Sequence, residues 1–283
     1  AFACGWGGII TMVGTPPNII ATGALKAAGL PTFSFFEFAW IGIPLSLAGM
    51  LYMMFIGKYL LPKVELSADQ EIAQEIEAKT TSTSKQMISG LILLLVVVTM
   101  AIGIPGITLE MAAVIGAIVC VLTGCLTEKR AYGSIDWVTI FLFAGMMPIA
   151  TSMDKTGAGA LIADWTVGLM GGTPSPMVVT AVLFLLSCTL TQFMSNTAAS
   201  ALLCPIGLAI AKQLGADPKA VVMAIAVAAS CAFATPVGTP PNTLVLGPGN
   251  YKFMDYVKAG VPLVIVSFIV SIIIIPMVWP FFP

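Results

Sequence analysis

The chain has 283 residues, 58% of them hydrophobic and only 9% charged, with a formal net charge of -1 and a mean hydropathy of +1.02. A soluble domain carries about 25% charged residues, so this composition excludes a wettable globule and leaves an all-α polytopic membrane protein. Histidine is absent, which removes the commonest metal ligand and the usual proton switch.

The chain opens on an apolar stretch, 1–28, interrupted by Gly14-Thr15-Pro16-Pro17-Asn18. No basic leader precedes a short apolar run, and without an initiator Met the sequence reads like a chain entered part-way through. A membrane span needs about 20 mainly apolar residues. Candidates lie at 38–61, 87–104, 108–126, 136–153 and 256–282. Between the first two, Glu65, Asp69, Glu71, Glu75, Glu77, Lys79 and Lys85 mark 62–86 as a hydrophilic linker, helical in part through Ser67–Ala78. Stretches 175–212 and 217–250 are apolar but broken by polar or Pro-rich islands. Cys4, Cys120, Cys125, Cys188, Cys204 and Cys231 all sit in or beside apolar runs with no Cys-x-x-Cys pair, so they read as small buried hydrophobes.

The organisation expected is a broken helix ending a first repeat (1–30), a transmembrane helix (31–61) and the linker (62–86). Scaffold helices (87–126), a region with a hairpin and a second broken helix (127–250) and a last span (251–283) complete it. With the linker cytoplasmic and 175–212 entering and returning on one side, Lys58, Lys63, Lys79, Lys85, Lys129, Arg130, Lys252 and Lys258 fall inside. Lys26, Lys155, Lys212 and Lys219 then fall outside. That bias agrees with the positive-inside rule and puts the C-terminus outside.

The pentapeptide at 14–18 recurs as Gly238-Thr239-Pro240-Pro241-Asn242, with Thr11 and Thr235, Val13 and Val237, and Gly23 and Gly247 in register around it. By the span count the copies run in opposite directions, an inverted repeat of the kind found in secondary transporters. Pro-Pro removes backbone donors and breaks a helix, and the preceding Gly permits angles other residues avoid. The freed backbone must be buried or line a wet cavity. There its carbonyls can coordinate a cation, while a new helix N-terminus faces an anion.

A second polar island, Thr189 to Thr197, divides the 175–212 stretch near its midpoint. Each arm is short for a full span, so a helix–turn–helix hairpin dipping part-way, with Ser195-Asn196-Thr197 at its tip, is expected. Glu110, Asp136, Asp154, Lys155 and Asp164 all fall at or beyond span ends. The embedded acid usual in a proton-driven carrier is therefore missing. An anion held only by hydroxyls, amides and helix ends needs added positive charge, and Na+ would supply it.

Ala229 to Val245, read through Thr235-Pro236-Val237-Gly238-Thr239-Pro240-Pro241-Asn242, matches the sodium:sulfate symporter signature at each constrained position. With Ser195-Asn196-Thr197 upstream, the chain resembles the divalent anion:sodium symporter family, whose members carry di- and tricarboxylates or sulfate. The resemblance implies a multi-pass inner-membrane protein that is not an enzyme, with Na+ as coupling ion and an elevator movement. Its implied partners are a small anion, the lipid bilayer and a second copy of the full-length protein, with no nucleic acid. It implies a Na+ site at Thr191, the Met194 carbonyl, Ser195, Asn196 and Gly238, with Gly14 serving the first-half Na+. The anion would meet Asn196, Thr197, Thr239 and Pro240, with Thr15 and Pro16 opposite. It further implies that 160–250 is mainly moving domain, while 38–126 and 252–283 are mainly scaffold. No Ser-Asn-Thr precedes residue 14, so the first site is incomplete here and these residues alone are expected to be inactive. The rival readings are a dicarboxylate exchanger without net Na+ flux, an intramembrane enzyme, disfavoured without His or mid-span Asp, and a non-transporting fragment.

Overall fold

A computed structural model describes residues 1–62, 83–102, 104, 106–135, scattered positions between 137 and 168, 175–236, 238–246 and 249–282. Among the described residues every regular element is helical, as apolar segments that must satisfy their own backbone require. In chain order these are α1 (Phe2–Ile9), α2 (Pro16–Ala27) and α3 (Ala39–Tyr52), the last prolonged by a π turn (Met53–Gly57) and Lys58–Leu60. Next come α4 (Thr83–Ile102), α5 (Leu109–Leu122) and α6 (Glu128–Gly133). The remainder are α7 (Pro176–Leu190), α8 (Asn196–Gln213), α9 (Pro218–Ala229), α10 (Pro240–Leu246) and α11 (Phe253–Val278). The expected linker helix at Ser67–Ala78 and most of the 136–153 span lie outside the described residues.

The helices begin where the sequence supplies caps. Ser175, Ser195 and Asp217 each accept a backbone N–H at the start of α7, α8 and α9, offsetting donors that a helix N-terminus leaves open. Proline occupies the first position of α2, α7 and α9, where its missing N–H costs nothing. Gly215 follows α8 at φ +63, a left-handed stop. Among the described residues three helices are long and apolar enough to cross a membrane: Ala39–Leu60, Ser84–Ile102 and Phe253–Val278. On α11 the exposed Val261, Ile265, Ile269 and Ile273 recur at four-residue spacing, a lipid-facing stripe by helical geometry. The chain is thus a multi-pass membrane protein.

Contacts divide it into two units, residues 1–64 with 138–283, and residues 65–137. In the second, α4 packs on α5. In the first, α9 is the centre: every residue from Ala220 to Ala229 is at most 1% exposed, and α2, α7, α8 and α11 pack around it. Its Ala- and Val-rich sequence lets four neighbours approach closely. Helices α3 and α11 also pack into this unit. Tyr52 donates from its hydroxyl to the Ala259 carbonyl at 2.8 Å. Both helices press a glycine onto a helix break. A Cβ on Gly42 would stand 2.8 Å from Ile10 Cα, and one on Gly260 would stand 2.7 Å from Ala234 Cα.

The start of α9 is tied to two other elements through Glu37. Its carboxylate accepts from Lys219 Nζ at 3.0 Å, from Trp279 Nε1 at 2.8 Å and from the Ser34 amide at 2.8 Å. Burial alone would raise the Glu37 pKa, but the bonds from Trp279, Ser34 and Lys219, with the Lys219 charge, outweigh it and hold the carboxyl below its ordinary value. Such a group contributes stability above its unfolded value of about 4.3 and loses it as pH falls through the folded value. Because the pair is part-exposed and screened, about 1 kcal/mol is expected. Thermal unfolding of detergent-purified Glu37→Gln is accordingly expected to lack that part of the acid-induced destabilisation seen in the parent protein.

Candidate functional site

Helix α7 stops at Leu190 because Thr191 to Ser195 form a turn, with Met194 N–H still bonded to the Leu190 carbonyl at 3.0 Å. Ser195 then starts α8, its Oγ accepting the Ala198 amide at 3.1 Å. The result is a helix–turn–helix, with Thr191 fully buried and α7 and α8 in contact. Facing the tip is the second break, from Ser230 to Thr239, between α9 and α10.

An unwound segment inside an apolar unit must place its carbonyls, and here side chains take them. Asn242 Nδ2 donates to Ala232 O at 2.8 Å and Thr235 O at 2.9 Å. Thr243 Oγ1 donates to Pro236 O at 2.8 Å, and Gln192 Nε2 donates to Cys231 O at 3.1 Å. The first break uses the same device. Asn18 Nδ2 donates to Thr11 O at 2.9 Å and lies 3.5 Å from Ile9 O. The last residue of each pentapeptide therefore ties down the carbonyl seven residues earlier. Those carbonyls belong to Thr11 and Thr235, the pair that aligns upstream of the repeat.

Two further carbonyls, of Ala229 and Gly238, point to the hairpin tip. One arm of the Asn196 carboxamide stands 3.0 Å from Gly238 O, 3.2 Å from Ala229 O and 2.7 Å from Thr191 Oγ1. Thr191 Oγ1 itself is 2.7 Å from Ala229 O. The two orientations of an amide exchange N and O without moving either arm. With nitrogen on this arm, Asn196 donates to all three oxygens. With oxygen there, the Thr191 hydroxyl donates to Asn196 Oδ1 at 2.7 Å or to Ala229 O, and the lone pairs left over converge as the oxygen ligands of a hard cation would. Ala229 also ends α9, so its carbonyl lies at that helix's negative pole. Among the described residues no group of three or more His, Cys, Asp or Glu could hold a metal ion; what this site offers is neutral oxygen.

The structure therefore brings Thr191, Asn196 and Gly238 together, and adds the Ala229 carbonyl. Ser195 Oγ is occupied as the α8 cap, and the Met194 side chain points to solvent or lipid at 36% exposure. Thr197 is buried in the first turn of α8; Thr239 and Pro240 open α10 beside Gly238. Thr15 caps α2 by position only and turns its hydroxyl to within 3.5 Å of Ser230 Oγ, so the two breaks approach each other. Pro16 follows as the exposed first residue of α2. Gly14 donates its N–H to Thr11 O at 3.2 Å within its own break. Phe233 of the second break is wedged into α1, edge-on to Phe2 and Trp6 with ring centres 5.6 Å apart in both cases. The Ala229 carbonyl and the tying role of Asn18 and Asn242 were missed from sequence, although the aligned Thr11 and Thr235 carried a signal for the latter.

The sequence profile described as "Citrate transporter" matches residues 1–203 and 167–281. The chain belongs to the citrate transporter family. It is thereby a member of the divalent anion:sodium symporters that its motifs resemble. The uncharacterized transporter YfbS of Escherichia coli (strain K12) is 48% identical over 169 residues, which are 58% of this chain and 27% of YfbS. An uncharacterized transporter of Haemophilus influenzae is 32% identical over 291 residues, 95% of this chain and 59% of the relative. The sodium-dependent dicarboxylate transporter SdcS of Staphylococcus saprophyticus is 24% identical over 293 residues, 95% of this chain and 56% of SdcS. This citrate transporter family chain thus spans from about a quarter to three fifths of these relatives.

Proposed function

We propose that the full-length protein is a secondary active transporter that couples uptake of a small divalent anion to Na+. Its substrate would be a di- or tricarboxylate such as succinate, malate or citrate, or sulfate. The observation that carries this reading is the convergence of the Asn196 carboxamide, Thr191 Oγ1 and the Ala229 and Gly238 carbonyls, which form a four-oxygen cluster when the amide turns its oxygen inward. It offers a cation several neutral oxygens and no counter-charge, so the ion keeps its full field for an anion next to it. Thr197, Thr239 and Pro240, with Thr15 and Pro16 opposite, would meet that anion. Gly14 would serve a Na+ of the first half. Relatives named as sodium-dependent dicarboxylate transporters support the choice of ion and of substrate class. In this reading linker 62–86 is cytoplasmic, the C-terminus lies outside and the full-length protein is a homodimer that works by an elevator movement.

The test is uptake of labelled succinate, citrate and sulfate by the full-length protein in proteoliposomes, with and without a Na+ gradient. Asn196→Ala removes one oxygen from the cluster and is expected to lower Na+-driven uptake about ten- to hundredfold. Uptake indifferent to Na+ and unchanged in Asn196→Ala would sink the proposal; counterflow without Na+ dependence would favour an exchanger.

A further inference from the structure

Gln192 is none of the ligands assigned above, yet through it the hairpin tip grips the second break. Its side chain is 7% exposed and both of its polar ends are engaged. Nε2 donates to Cys188 O of the preceding helix α7 at 2.9 Å and across to Cys231 O at 3.1 Å. Oε1 accepts from the Ala234 amide at 3.0 Å. Its backbone carbonyl accepts from Thr235 Oγ1 at 2.8 Å. Glutamine suits the position because one planar group carries a donor and an acceptor, each aimed at a backbone group that nothing solvates there.

These bonds bracket the oxygen cluster. On the hairpin side Gln192 directly follows Thr191; on the break side Cys231 lies just past Ala229, and Ala234 and Thr235 just ahead of Gly238. The separation between the Thr191–Asn196 pair and the Ala229 and Gly238 carbonyls is therefore set by how firmly Gln192 joins tip to break. We propose that Gln192 is a positioning residue for the coupling cation, holding tip and break at the spacing in which the four oxygens converge. This rests on the reading that the cluster holds Na+. A ligand whose competent arrangement is populated only in part binds more weakly by that fraction, so loosening the grip lowers cation affinity without removing a ligand.

The experiment is uptake against Na+ concentration by the full-length protein in proteoliposomes, with Thr189→Ala as control. Thr189 is exposed and its hydroxyl donates to Leu185 O of the same helix at 2.8 Å. Gln192→Leu is expected to raise the half-saturating Na+ concentration about tenfold, while the rate at saturating Na+ changes less than about twofold. Thr189→Ala should leave both unchanged. Should Gln192→Leu fail to fold, Thr235→Val reads the same grip by removing only the bond to the Gln192 carbonyl, with a shift of roughly threefold expected. A Na+-dependent parent whose half-saturation is unmoved by either variant overturns the role of Gln192 alone, as does a loss of rate equal at every Na+ concentration. A parent indifferent to Na+ overturns the transport reading beneath it.

Discussion

Replacing Asn242 by alanine is expected to destabilise the fold by about 3 kcal/mol and to abolish uptake, while Asn18→Ala should cost about half as much. Both side chains are fully buried, and each ties an unwound segment back onto itself. Asn242 makes two short bonds, to Ala232 O at 2.8 Å and Thr235 O at 2.9 Å; alanine would leave both acceptors buried and unpaired. Asn18 has one bond of that quality, to Thr11 O at 2.9 Å, and its approach to Ile9 O at 3.5 Å is too long to contribute much. Asn242 is also fixed by the Tyr256 hydroxyl on its carbonyl at 2.8 Å. Thermal unfolding of the two purified variants side by side checks the ranking. Equal losses would mean that the carbonyls of the second break find other partners.

A second large effect is expected at Gly238, where the break packs against the hairpin. A Cβ there would stand 2.8 Å from Ala232 Cβ, 2.9 Å from Thr191 O and 3.2 Å from Thr235 Oγ1. Two of these atoms are rigidly attached to backbone, so no flexible side chain can swing away. Overpacking of this kind costs about 1–3 kcal/mol. Because it acts between tip and break, it should also part the Gly238 carbonyl from Asn196. Gly238→Ala is therefore expected to cut Na+-driven uptake at least about tenfold. Na+-induced stabilisation, read as the rise in melting temperature on adding Na+, should shrink in parallel. A variant that folds and keeps the full Na+ response would show that the segment flexes enough to admit the methyl group.

How far the sequence reached depends on which atoms carry each feature. The breaks and the hairpin were legible because proline, glycine and a polar Ser-Asn-Thr island interrupt long apolar runs, and those residues act locally. Ala229 was not legible, because it joins the cluster through a backbone carbonyl that any residue could provide. Gln192 stood in plain view within the polar island, but its partners are backbone groups of residues 231 and 234, which no side-chain pattern records. The neighbours of α3 and α11 were not legible either. In a membrane, lipid-facing and protein-facing residues can be equally apolar, so hydropathy finds such spans without telling what they pack against. The glycines that do tell, Gly42 and Gly260, announce close contact but not with whom.

Helix α9 is held at both ends by polar groups and sheathed everywhere between them. Its start is gripped at Lys219 by Glu37, and its last carbonyl, on Ala229, by Thr191. Twelve residues at 1.5 Å each make a rod roughly 18 Å long, with no break to absorb a push along its length. A displacement of the oxygen cluster along that axis must then arrive, undiminished, at the Glu37 end. A spectroscopic label on the rim there would follow the site's travel from a distance, leaving every proposed ligand untouched.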